Sequence, residues 1–60
     1  MDDLTTTRRR VLALAQSKFP DANEVRPVAR SAGNGALILG AEVWIDGRAR
    51  SYWPEGAVVA

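Results

Sequence analysis

Apolar residues recur along this chain in two rhythms, and the change between them divides it. In the segment TTTRRRVLALAQSKF the spacing is helical. Leu4, Val11, Leu12, Ala15 and Phe19 fall in one stripe roughly 100° wide with Leu14 at its edge, the pattern of a helix laid on a core. Asp2 or Asp3 is placed to cap this helix, where a carboxylate suits the positive N-terminal end, and Pro20 ends it. Arg9, Arg10, Ala13, Gln16 and Ser17 occupy the opposite side, while Arg8 lies near the apolar stripe with its head reaching to water. The triplet RRR is therefore not one basic patch but mainly a solvated helix face.

After the turn cluster FPDAN the rhythm changes to alternation. The stretch EVRPVARS reads as a short strand, and Pro27, which has no amide to donate, assigns it to a sheet edge or a bulge. SAGNG is a flexible connection that feeds a strand, not the helix N-terminus a phosphate cradle requires. ALILGAEVW is the clearest strand, with Leu37, Leu39, Ala41 and Val43 on its core face and Ala36, Ile38, Gly40, Glu42 and Trp44 on the other. The end WPEGAVVA carries a turn signal and an apolar tail able to add a short fourth strand.

Asp46-Gly47 announces a hairpin in either of two registers. A two-residue turn pairs Ile45 with Arg48 and Val43 with Arg50, setting both guanidinium groups on the core face, where an unpaired charge costs several kcal/mol. A three-residue loop, Ile45-Asp46-Gly47 with a bulged glycine, avoids this by pairing Trp44 with Arg48, Glu42 with Arg50, Gly40 with Tyr52 and Leu39 with Trp53. The second register is the expectation. It assigns Ala49, Ser51 and Trp53 to the core and displays Ile38, Glu42, Trp44, Arg48, Arg50 and Tyr52 on the outer sheet face.

The sequence thus predicts one α+β domain over residues 1–60: an N-terminal helix packed on a three-stranded antiparallel meander, with the first or third strand exposed at an edge and residues 54–60 either adding a short fourth strand or staying disordered. A dimer that shares the sheet is the alternative arrangement.

Composition changes this picture in three ways. A chain of 60 residues without cysteine buries only about 60% of its unfolded surface and has no disulfide staple, so a second copy would stabilise it. The absence of histidine and cysteine removes thiol chemistry and most transition-metal sites, and no catalytic residue, metal ligand or cofactor is assigned. The net charge of +1 is no bulk attraction for a polyanion, although seven of the eight bases are Arg, a bias that also points to a GC-rich bacterial or phage genome. The apolar run is too short for a membrane span or secretory core, and the expected location is the cytoplasm.

The functional expectation is a small non-catalytic protein-interaction or regulatory module, self-associating as a homodimer or bound to another protein through the displayed face. A single-stranded nucleic-acid-binding module is the alternative, with bases stacked on Trp44 and Tyr52 and phosphates held by Arg26, Arg30, Arg48 and Arg50. Glu42 at the centre of that face counts against it, because it repels phosphate.

Overall fold

The computed structural model describes residues 3–59, which form an α+β layout of one helix against one antiparallel sheet. Helix α1 runs Leu4–Lys18, and the strands are β1 Glu24–Ser31, β2 Leu37–Ile45, β3 Arg48–Tyr52 and β4 Val58–Val59. The sheet order is β1-β2-β3, with β4 joining β2 on the same side as β3 and beyond its end. The fold class and the meander agree with the sequence expectation, and of the two alternatives left for the tail the strand is the one formed, at Val58–Val59; Ala60 lies outside the described residues. Both β1 and β3 are edges. No helix among the described residues is long and apolar enough to cross a membrane.

Asp3 is the helix cap: its Oδ1 accepts the amide of Thr6 at 2.7 Å. The other candidate, Asp2, lies outside the described residues. At the far end the Phe19 amide donates to the Ala15 carbonyl at 2.9 Å, and Pro20 prevents another turn. The buried helix positions are Thr7, Val11 and Ala15. They meet Leu39, Ala41 and Val43 of β2 and Ala57 of the tail, which together form the fully buried core. Leu12 and Phe19 pack at its margin, whereas Leu4 and Leu14 stay exposed.

The β2–β3 hairpin corrects the expected register. Ile45 pairs with Arg48, Val43 with Arg50 and Ala41 with Tyr52, so the turn has two residues, Asp46 and Gly47, both at positive φ (51° and 78°). That is the mirror-image turn whose twist matches the strands it joins. The objection to this register, that it buries two arginines, fails because of the helix's width. A helix about 10 Å across covers roughly two strands spaced about 4.8 Å apart. Helix α1 lies mainly over β1 and β2, so Arg48 and Arg50 share the helix-side face yet remain exposed beyond the helix. Tyr52, expected on the outer face, instead meets Phe19 edge-on, with ring centroids 5.7 Å apart. Trp53, Ala49 and Ser51, expected in the core, move to the outer side.

Candidate functional site on the outer sheet face

Pairing between β1 and β2 sets out the surface on the side away from the helix. Glu24 lies beside Trp44, Arg26 beside Glu42, Val28 beside Gly40 and Arg30 beside Ile38. On the other flank Ala49 stands beside Trp44 and Ser51 beside Glu42, and Val58 adjoins Ile38. The face divides into a polar end containing Trp44 and an apolar end containing Val28, Ile38, Trp53 and Val58.

Trp53 reaches this surface because position 40 is glycine. A Cβ at Gly40 would stand 2.8 Å from Trp53 Cδ2 and 2.7 Å from the Tyr52 carbonyl oxygen, so the indole lies where any larger residue would put its side chain. The Arg30 guanidinium carbon sits 4.6 Å from the Trp53 ring centroid, and that of Arg26 sits 6.0 Å from the Trp44 ring centroid. Each tryptophan thus lies against an arginine supplied by β1, a cation–π arrangement on a neighbouring strand. Trp44 is fixed further by its indole Nε1–H, which donates to Glu42 Oε1 at 2.7 Å, and Arg26 Nε is 3.0 Å from Glu24 Oε2. The carboxylates Glu24 and Glu42 balance the cations Arg26 and Arg30, so the face carries no excess of either charge.

Of the residues expected on this face, Ile38, Glu42 and Trp44 are here, all half-buried. Arg48, Arg50 and Tyr52 are on the opposite side, which undoes the expected pairs Trp44–Arg48, Glu42–Arg50 and Gly40–Tyr52. Arg26 and Arg30 take the places of the two β3 arginines, and Trp53 takes the place of the tyrosine. The alternation EVRPVARS already placed Arg26 and Arg30 on one face of their strand. Only the hairpin register hid their meeting with the tryptophans.

Two other depressions mark the helix side. A hollow of about 180 Å³ lies under the first turn of α1, lined by Leu4, Arg8, Pro27, Ala29, Leu37 and Leu39 among others. An open hollow beside β3 is lined by Ile45, Asp46, Arg48 and Arg50. Neither gathers the pair of acid and base groups that general acid–base catalysis needs. No protein-family model, curated protein or solved structure matches the chain.

Proposed function

We propose that this protein is a small binding module without catalytic chemistry, that its contact surface is the outer sheet face, and that its first partner is a second copy of itself. The observation carrying the proposal is the pair Trp44 and Trp53, each against an arginine, on a sheet face that the single helix leaves uncovered. Both rings are half-buried, and partly exposed aromatic surface next to arginine is the usual composition of a protein contact. Balanced charge favours protein over phosphate polymer, since single-stranded nucleic acid binds to a surplus of cations. It also suits a two-fold contact, in which Glu24 and Arg26 of one copy can meet the opposite charges of the other.

The test is sedimentation of the intact protein over a wide concentration range, with acrylamide quenching of the tryptophans at both ends. Association should appear as a dimer whose tryptophans become less accessible as concentration rises. Trp44→Ser with Trp53→Ser should return it to monomer, and Arg30→Glu, which leaves both rings in place, should weaken it. A wild-type protein that stays monomeric at high micromolar concentration, with both indoles open to the quencher, ends the self-association reading.

A further inference from the structure

The register that removes Arg48 and Arg50 from the outer face places them beside an open strand edge. The Leu39 amide donates to the Ala57 carbonyl at 2.8 Å, so the odd-numbered residues of β2 direct their backbone groups toward β3 and β4. They pair with Arg48, Arg50 and Tyr52, whose amides therefore face β2. Because successive residues of a strand turn their backbone groups to opposite sides, the N–H and C=O of Ala49 and Ser51 point outward from the sheet. No other strand among the described residues lies along that side of β3.

An incoming strand that bonded to Ala49 and Ser51 would put its intervening residues directly opposite Arg48 and Arg50, at the non-hydrogen-bonded positions where side chains come closest. Both arginines are exposed, and neither forms an ion pair among the described residues. Asp46 lines the same hollow, and Lys18 stands 5.4 Å from the ring centroid of Tyr52 on this side, which makes three cations against one carboxylate. A second copy of β3 paired antiparallel along its whole length is centred on Arg50, which sets Arg50 against its own copy and repels it. A strand carrying acids at alternate positions is attracted.

We propose that the open edge of β3 is a docking site for an extended acidic segment of another protein, added to the sheet as a further strand, with its acids facing Arg48 and Arg50. Outward N–H and C=O groups together favour a peptide over nucleic acid, because a peptide backbone supplies both the acceptors and the donors they need. Neighbouring Ala49 and Ser51 are small, which leaves room for β-branched residues on the peptide's other face.

The probe is a capped, fluorescein-labelled peptide of alternating Glu and Val, titrated by anisotropy against the intact protein, with amide exchange followed at Ala49 and Ser51. Saturable binding that slows exchange at both amides is expected. Arg48→Glu with Arg50→Glu should weaken it about tenfold or more, the scale of losing two cross-strand ion pairs. A peptide N-methylated at the valines that face the edge should lose binding with its charge intact, and this control does not touch the protein's own folding. A peptide with Lys for Glu should not bind. The proposal is overturned if no peptide binds, if N-methylation is without effect, or if a single-stranded oligonucleotide of equal charge binds through Arg48 and Arg50 while the peptide does not.

Discussion

Single positions set the shape of both sheet faces, and Thr7 illustrates how strictly the inner one is packed. It is fully buried between helix and sheet, and its Oγ1 has no hydrogen-bond partner. A buried hydroxyl without a partner costs about 1 to 3 kcal/mol in mutational series, while valine has nearly the same shape and a similar helix propensity. Thr7→Val should therefore stabilise the protein by about 1 kcal/mol, read as a higher urea midpoint with an unchanged slope. A loss of stability would mean that the hydroxyl is satisfied in solution. Gly40 plays the corresponding part on the outer face. There the missing side chain admits the Trp53 ring, so a residue that looks like a flaw in a strand is what places the larger half of the candidate site.

Elements differ in how openly the sequence declares them, and the difference follows from how local their determinants are. Helix α1 was legible in cap and stop, and in its stripe from Val11 to Phe19, because each is fixed by residues within a turn or two of one another, whereas in the first turns the buried position is Thr7 and not the expected Leu4. Its cap also gives a pH signature. The Thr6 backbone N–H, followed by the Thr6 side chain, holds the Asp3 carboxyl below its ordinary value of 3.8. A folded-state value below the unfolded one gives stability that is fully present above about pH 4 and is lost as pH falls through the lowered value. Asp3→Asn, which can still cap but carries no charge, should lose less stability than wild type between pH 7 and pH 2, measured by urea unfolding. Equal losses would show that Asp3 does not contribute to the acid sensitivity. The β2–β3 register was not legible, because it depends on something no local pattern records, namely how far across the sheet one helix extends. Ile38, Glu42 and Trp44 were placed correctly since β2 declares its own alternation. Arg48, Arg50, Tyr52 and Trp53 changed sides together, as a one-residue slip requires.

At the scale of the whole molecule, a helix on only one side of the sheet leaves the other side bare and two strand edges open, so the question is which of these surfaces the protein protects. Arg48 and Arg50 guard β3 against its own kind, and Pro27 does the same for β1. The even-numbered residues of β1 pair with the even-numbered residues of β2, whose backbone groups turn toward it, so the odd ones turn outward, Pro27 among them. Without that proline the β1 edge would be strongly self-complementary. An antiparallel pairing of two copies centred on position 27 sets Glu24 against Arg30 and Val25 against Ala29, twice over by symmetry. With proline present, the central pair of that ladder has no donor on either strand, and its two rings occupy the space between them. The proline thereby closes the β1 edge to pairing and leaves the Trp44–Trp53 face for the contact proposed above. Pro27→Thr should open the edge. The variant is expected to form dimers or larger sheet-linked assemblies at concentrations where the wild type does not, and these should persist when Trp44→Ser and Trp53→Ser are added. Raised salt should loosen them, because two Glu24–Arg30 pairs hold them in register. Sedimentation velocity of the four proteins decides the matter: if Pro27→Thr behaves as wild type in both backgrounds, the proline is not what keeps β1 from pairing.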